Sequence, residues 1–367
     1  MARVAVDAMG GDFAPRAPVA GALLALAELP GEHTIQLVGQ TAAVERTLAE
    51  LLAGECAAQA RQRERLTIVE APDVVGMADR PTAVLRAKAR SSMAVGLKLQ
   101  ASGHADAFVS AGSTGAQMVA SMAILGRHAG LERPAISTIF PTTRKPVIVL
   151  DSGANVDCSA EELVQFARLG AVYAADILGR ENPAVGLLSI GEEPEKGNAA
   201  VKEAHQLLTR EPDLRFLGNV EGRDIPVGAC DRGPIDVVVC DGFVGNVLLK
   251  FYESLAPTLM GVFARALHAE RETLAEAFRE LDYSEQGGAP LLGVKGVSII
   301  SHGKSQPRAI KNAVKVAVRA VESRMSDHIG GRLAAAGEAE RQAAEAQAAA
   351  RGTAHGAAAR DGGVAGA

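Results

Sequence analysis

The chain lacks tryptophan and is poor in other aromatics, with 3 tyrosines and 9 phenylalanines among 367 residues. Stacking platforms for nucleic-acid bases are therefore scarce, and a formal net charge of −5 argues against a nucleic-acid partner. Cysteine is also sparse. The 4 present, Cys56, Cys158, Cys230 and Cys240, lie far apart with no C-x-x-C or Cys/His spacing. That excludes the usual zinc and disulfide frameworks and predicts free thiols in a reducing cytoplasm. No apolar leader segment precedes the first strand-like residues, and no run reaches the roughly 18 apolar residues that span a bilayer. The nucleotide fingerprints G-x-x-x-x-G-K-[ST] and G-x-G-x-x-G are missing, as is the G-x-S-x-G elbow of serine hydrolases.

What is present is an ordinary globular composition, 48% hydrophobic and 22% charged. Short β-branched runs recur: Val4–Val6, Ile35–Val38, Leu66–Val69, Phe108–Ser110, Val147–Leu150, Val185–Ile190, Val237–Cys240 and Val297–Ile300. Helical patterns such as Val19–Leu29 and Glu161–Leu178 separate most of them. This alternation predicts an α/β protein with a mainly parallel sheet covered on both faces. Residues 1–330 read as the folded unit. Residues 331–367, rich in Ala, Gly, Glu, Gln and Arg, read as a disordered tail, too poor in bulky aliphatics to offset its ordering entropy.

Nearly every strand runs into a turn rich in both glycine and polar groups: DAMGGD (7–12), SAGSTGA (110–116), DSGANVD (151–157), SIGEEPEKGN (189–198), GNVEGRD (218–224), CDGFVGN (240–246) and SHGKS (301–305). In a parallel sheet such loops share one edge, where open α/β folds bind ligands. At 110–116 a strand enters a helix through Gly112-Ser113-Thr114-Gly115. The first turn of a helix offers unpartnered N–H groups and a partial positive charge, so Ser110, Gly112, Ser113, Thr114 and Gly115 suit a bound oxyanion. A capped turn with nothing bound satisfies the same pattern. Lys196 beside Asn198 is either a solvated loop lysine or a site cation. Asp241 and Asn246 flank two glycines and either form a turn and helix cap or line the site. Asn155 and Asn219 occupy two of the other polar loops, and His302 is either structural or an acid–base group. Asp236 and Asp241 have no second acidic pair at helical spacing, so no metal is expected. Cys240 ends an apolar strand with no adjacent histidine, the setting of a core thiol.

Ten stretches in order, VAVDAMGGDFAP, RAKARSSM, DAFVSAGSTGA, ERPAI, VLDSGANVDC, SIGEEPEKGN, NVEGRDI, CDGFVGNVLLK, GAPLLGVKGV and SHGKS, span about residues 2–320. They resemble the phosphate acyltransferase family of bacterial phospholipid synthesis, the acyl-ACP:phosphate acyltransferases. Many members of that family carry Asn where this chain has Ser113. The resemblance implies a three-layer αβα sandwich in two lobes, similar to isocitrate and isopropylmalate dehydrogenases and to phosphotransacetylases, dimeric and without metal or cofactor. It implies that inorganic phosphate attacks the thioester of a long-chain acyl group on acyl carrier protein. Under that reading the 110–115 turn cradles phosphate and Lys196 neutralises it or the oxyanion. Asn198 and Asn246 donate to the thioester oxygen, and Asp241 orients Lys196 or takes a proton.

Acyl carrier proteins are acidic, so two basic clusters are candidate docking sites: Arg80, Arg86, Lys88 and Arg90, and Arg127, Arg133 and Arg144. Residues 254–282 read as an amphipathic helical segment, with Leu255, Leu259, Phe263 and Leu267 on one face. It packs on the core or a dimer partner, or touches a bilayer weakly, where a membrane acyltransferase would use the product. The competing functions are a nicotinamide-dependent dehydrogenase, a short-chain phosphotransacetylase using CoA, and a non-catalytic acyl-carrier or lipid-binding regulator.

Overall fold

A computed structural model describes residues 1–267 and 287–338. One sheet of 11 strands carries the fold. In chain order the strands are β1 (Arg3–Asp7), β2 (Thr34–Gly39), β3 (Leu66–Glu70), β4 (Ala107–Ser110), β5 (Ala135–Phe140), β6 (Val147–Leu150), β7 (Ala184–Leu188) and β8 (Arg215–Val220). The short hairpin β9 (Ala229–Cys230) and β10 (Gly233–Pro234) stands apart, before β11 (Val237–Val239), β12 (Ala289–Leu292) and β13 (Ser298–Ile300). The helices are α1 (Arg16–Glu28), α2 (Thr41–Ala53), α3 (Ser92–Ala101), α4 (Thr114–Ile124), α5 (Ala160–Leu178), α6 (Ala199–Leu208), α7 (Asp224–Val227), α8 (Gly242–Leu267) and α9 (Pro307–Glu322).

The sheet order is β3-β2-β1-β4-β13-β12-β5-β6-β11-β7-β8. Both blocks, β3-β2-β1-β4-β13 and β6-β11-β7-β8, are parallel within themselves. Between them, β12 is antiparallel to both β13 and β5, and β5 is antiparallel to β6. Three reversals leave the two blocks running in opposite directions, so the glycine-rich loops do not share a single edge of a uniformly parallel sheet. The register compensates. Ile300 faces Ala289, Leu291 faces Ile136, and Ser137 faces Leu150. The carboxyl ends of β13 and β6 therefore reach nearly the same level, on either side of β12 and β5.

The α5 helix illustrates how the sequence writes an element. Ser159 accepts from the Glu162 N–H, and the Glu162 carboxylate accepts from the Ser159 N–H, a reciprocal cap. Gly179, at φ 62°, ends the helix in the left-handed region. Between them Leu163, Phe166, Leu169, Val172, Tyr173 and Ile177 are buried. At about 1.5–3 kcal/mol each, their burial contributes on the order of 10 kcal/mol before ordering costs.

The chain departs from the sequence reading at its end. A final helix covers residues 325–338, and Leu333 is 4% exposed within the core, so the folded unit runs past residue 330. One buried leucine anchors an alanine-rich helix that composition alone assigns to a tail. Residues 268–286 and 339–367 lie outside the described residues, and with them positions 268–282 of the proposed amphipathic segment. What is described of that segment belongs to α8, which begins much earlier than residue 254. Its window Gly242–Arg265 is long and apolar enough to cross a membrane by length and composition, although Lys250 and Glu253 interrupt the apolar run.

At the outer end of β4, Asp106 accepts from Arg3 N (2.8 Å), Nε (3.1 Å) and Nη2 (2.7 Å). Burial alone would raise its carboxyl, but the Arg3 bonds win and hold it below the usual value. A lowered carboxyl contributes its stability above the unfolded-state value and loses it as pH falls through the folded one. Asp106→Asn should cost about 1 kcal/mol at pH 7 after solvent screening. The difference from wild type should close below about pH 4, read by urea unfolding at pH 7, 5 and 3.

Candidate active site

The matched levels of β13 and β6 place loops from both blocks around one cavity of about 430 Å³. The first block contributes Asp12, Gly112, Thr114 and the run Ser301–Lys304; the second contributes Ser152, Gly153 and Asn246. Ile136, Thr138, Ala289 and Ile300, from the strands at the junction, line it too. Leu249, Lys250 and Glu253 of α8 and Met77 add to the wall.

Two buried carboxylates brace the loops. Asp7, at the end of β1, is 3% exposed and accepts from the Ser110 hydroxyl (2.7 Å) and the Met9 N–H (3.0 Å). Ser110 Oγ in turn accepts the Gly112 N–H (3.0 Å). Burial pushes the Asp7 carboxyl up, against these hydrogen bonds. Gly10 is obligatory here, since a Cβ would lie 2.6 Å from Asp7 Oδ2 and 2.8 Å from Gly112 N. Asp151, after β6, is fully buried and accepts from Ile136 N (3.0 Å), Gly153 N (3.2 Å), Ala154 N (3.1 Å), Asn155 N (2.7 Å) and Asn155 Nδ2 (3.0 Å). Its carboxyl is likewise raised by burial.

The α4 helix starts at the cavity. Ser113 is its N-cap, accepting from Ala116 N at 3.5 Å. Asn is an equally good cap, so the cap itself does not depend on serine at this position. The N–H groups of Thr114 and Gly115 have no helical carbonyl to meet and face outward from the first turn. Around them stand Lys304, with no ion pair among the described residues, and Lys250, held by Glu253 at 2.8 Å. His302 is exposed; its Nδ1 accepts the Lys304 N–H (3.1 Å), and Nε2 lies 3.4 Å from Lys250 Nζ.

Of the sequence candidates, the structure brings Gly112, Thr114, Asn246 and His302 to the cavity, with Ser110, Ser113 and Gly115 in the turn behind them. The others do not line it. Asp241 caps α8, accepting the Val244 N–H at 2.9 Å, so the cap falls on Asp241 and Asn246 sits one turn inside the helix. Asn155 donates to Pro134 O (2.8 Å) as well as to Asp151. Asn198 caps α6 through the Val201 N–H (2.9 Å). Asn219, fully buried, donates to Glu193 O (2.7 Å) and so ties down the 189–198 loop. Lys196 is exposed on that loop and has no ion pair among the described residues. Its loop follows β7, at the same end of the second block as the Asn246 loop and one strand further out.

Sequence reasoning passed over Asp7, Asp151, Thr138 and Ser301. Thr138 is 1% exposed and Ser301 5%, and neither hydroxyl has a partner among the described residues. The signal for Thr138 was a Ser-Thr pair inside AISTIF, a strand buried throughout.

Alternatives elsewhere are weaker. Cys240 is buried and its thiol is pushed well up by burial, as is Cys158, to about 12, so neither is a ready nucleophile. Among the described residues, Glu32, His33 and Glu322 come within metal-ligand reach of one another, but none lines the cavity. His33 Nδ1 accepts the Ala2 N–H (3.1 Å), which places the ring proton on Nε2, the atom facing the carboxylates. The second basic cluster is split. Arg133 pairs with Glu162 (3.1 Å) before β5, Arg127 donates to the Glu132 carbonyl, and Arg144 lies beyond the far end of that strand. In the first, Lys88 pairs with Asp79 while Arg80, Arg86 and Arg90 are exposed.

Comparison with known proteins places the chain in a family. The family described as "Fatty acid synthesis protein" matches residues 2–328. The chain is 47% identical over 331 residues to the phosphate acyltransferase of Desulforamulus reducens, covering 88% of this chain and 94% of that one. It is 46% identical to the phosphate acyltransferase of Heliobacterium modesticaldum, covering 90% and 98%. Among solved structures, a phosphotransacetylase from Streptococcus pyogenes superposes with a TM-score of 0.58 at 18% identity, over 87% of this chain and 94% of that one, a likeness of fold. A mostly parallel α/β sheet with glycine-bent, anion-ready loops at its centre, joined to relatives of this identity along nearly its whole folded length, settles the kinship: the chain belongs to the phosphate acyltransferase family.

Proposed function

We propose that the protein transfers a long-chain fatty acyl group from acyl carrier protein to inorganic phosphate, giving acyl phosphate for phospholipid synthesis. The observation that carries this reading is the cavity where the open first turn of α4 meets Lys304, His302 and the Asn246 amide, with an apolar flank of Ile136, Leu249, Ala289 and Ile300. A tetrahedral oxyanion suits the first set and an acyl chain the second.

Phosphate is itself a nucleophile, so the protein's task is to hold it, orient it and stabilise the charge that develops on the thioester oxygen. In this scheme the N–H groups of Thr114 and Gly115, with the Thr114 hydroxyl, hold phosphate. Lys304 balances its charge, and His302 stands beside it on the lining. Asn246 presents an amide donor from the opposite wall. Asp241 and Asn198 act through the helices they cap, Asn155 through Asp151, and Asn219 through the loop bearing Lys196. Lys196, without an ion pair among the described residues and outside the cavity, meets the anionic arm of the incoming carrier. Arg80, Arg86 and Arg90 stand on the segment whose Met77 lines the cavity, and Pro81 on the same segment packs beside Gly115; this basic strip suits an acidic carrier. Phe243, Val247 and Phe251, exposed along α8, support a homodimer in the cytoplasm that rests weakly on a bilayer, where a membrane acyltransferase takes the product.

The deciding experiment supplies phosphate with either palmitoyl carrier protein or acetyl-CoA and traps acyl phosphate as a hydroxamate. Product is expected from the carrier-bound chain, and Lys196→Ala is expected to lose at least about tenfold in kcat/KM for it. A preference for acetyl-CoA would transfer the protein to the short-chain phosphotransacetylase reading, which the fold likeness accommodates. Carrier binding without product would make it a regulator.

A further inference from the structure

Strand β5 is buried from end to end, yet its middle carries two hydroxyls, Ser137 and Thr138, at 0% and 1% exposure. Neither finds a hydrogen-bond partner among the described residues. A hydroxyl left unpaired in the interior costs about 1–3 kcal/mol. Successive residues of a strand point to opposite faces, so the two are not equivalent. Ile136 and Thr138 line the cavity and Ser137 does not. The register sets Thr138 on the row of Ala289 and Ile300, just before the second unpartnered hydroxyl, Ser301. Ser152, also on the lining, differs: its hydroxyl already donates to Val149 O at 3.0 Å. Thr138 thus offers a fixed, desolvated and unused donor to whatever fills the cavity, on a strand flanked by β12 and β6 rather than on a loop.

We propose that Thr138 is a catalytic residue whose hydroxyl donates to the acyl carbonyl oxygen as that oxygen becomes an oxyanion. The assignment rests on acyl transfer to phosphate as proposed above. In the step concerned, an oxygen of hydrogen phosphate attacks the thioester carbon, forming a C–O bond, and the C=O π pair moves onto the acyl oxygen. Collapse of that oxyanion restores C=O and breaks the C–S bond. The proton of hydrogen phosphate passes to the departing thiolate, so acyl phosphate and free thiol account for every atom. A phosphate gripped at the α4 terminus lies on the first-block side; Thr138 reaches the carbonyl from the junction strand β5 and Asn246 from the second block. A rigid β-branched donor suits an atom whose charge appears only in transit, because no reorganisation is needed when it appears.

The test compares Thr138→Val, Thr138→Ser and Ser137→Ala with wild type for kcat, the KM of phosphate, and melting temperature. Thr138→Val keeps the shape and removes only the hydroxyl. It should lower kcat by about 10–100-fold with phosphate KM within about threefold, and should melt at or above the wild-type temperature, since an unpaired buried hydroxyl has gone. Thr138→Ser should recover kcat to within about threefold, and Ser137→Ala should leave it unchanged. Wild-type kcat in Thr138→Val would overturn the assignment. So would a fall in kcat accompanied by a fall in melting temperature that Thr138→Ser does not repair, which is the mark of a structural hydroxyl. If wild type itself makes no acyl phosphate, the functional reading fails and takes Thr138 with it; if wild type is active and Thr138→Val equals it, only Thr138 is withdrawn.

Discussion

Gly245→Ala should reduce acyl-phosphate formation at least about 100-fold and lower the melting temperature by several degrees. In isolation the change favours the helix, because alanine is the better helix former by about 1 kcal/mol. Position 245 reverses that sign. A Cβ there would lie 1.9 Å from the carbonyl oxygen of Asp151, 2.9 Å from its carbonyl carbon and 3.0 Å from Ser152 Cα. All three are backbone atoms, held by the hydrogen bonds of the Asp151 loop, so relief must come from α8 moving outward by an ångström or more. That movement displaces Asn246, Leu249 and Lys250, all on the cavity wall. Misplacing reacting groups by about 1 Å costs on the order of 100-fold in rate. Overpacking adds about 1–3 kcal/mol of destabilisation, more than the gain in propensity. Gly261→Ala in the same helix is the internal control: its nearest neighbour is Arg265 Nη1 at 3.8 Å, so only propensity acts and stability should rise slightly. Full activity in Gly245→Ala would show that the α8 terminus does not set the site.

How much of this was written in the sequence depends on the element. Strands of β-branched residues, such as β1, β2, β6 and β11, were legible because buried parallel strands are continuous apolar runs. β12 was not, since Pro290 sits inside it; nor was β8, whose Gly218 at φ 92° accompanies a shift of register. β5 was hidden by its Ser-Thr pair between Pro134 and Pro141. These omissions mattered, because β12 and β5 are the strands that reverse the sheet. Without them the loops seem to share an edge; with them the loops come from opposed blocks and meet only through the register. The same limit governed the site. Glycine-rich turns marked where the chain bends at the ends of strands, and Gly112, Thr114 and His302 from such turns line the cavity. Whether a polar side chain in such a turn faces ligand or braces backbone is decided by partners distant in sequence. Asn155 and Asn219 read like binding residues and hold loops instead. Thr138 reads like a core residue and faces the cavity.

Asp151→Ala should be the most destabilising single change in the second block, by about 3–5 kcal/mol, because it strands N–H donors of Ile136, Gly153, Ala154 and Asn155 away from water. Asp151→Asn keeps one acceptor oxygen and should cost less, about 2–3 kcal/mol. Two opposing effects act on the wild-type carboxyl. The N–H donors favour its ionised form, while burial favours the protonated one, and burial prevails, raising it above the ordinary value. A carboxyl that is raised on folding binds more protons in the native state than in the unfolded state. Wild-type stability should therefore decline as pH climbs from the unfolded value, near 4, through the folded one. The asparagine variant lacks that proton and that slope. Urea unfolding of the two proteins at pH 4, 5.5 and 7 should show the wild-type advantage narrowing as pH rises. An advantage that widens instead would mean that the backbone donors outweigh desolvation, and that the loop at the α8 terminus is held by a full negative charge.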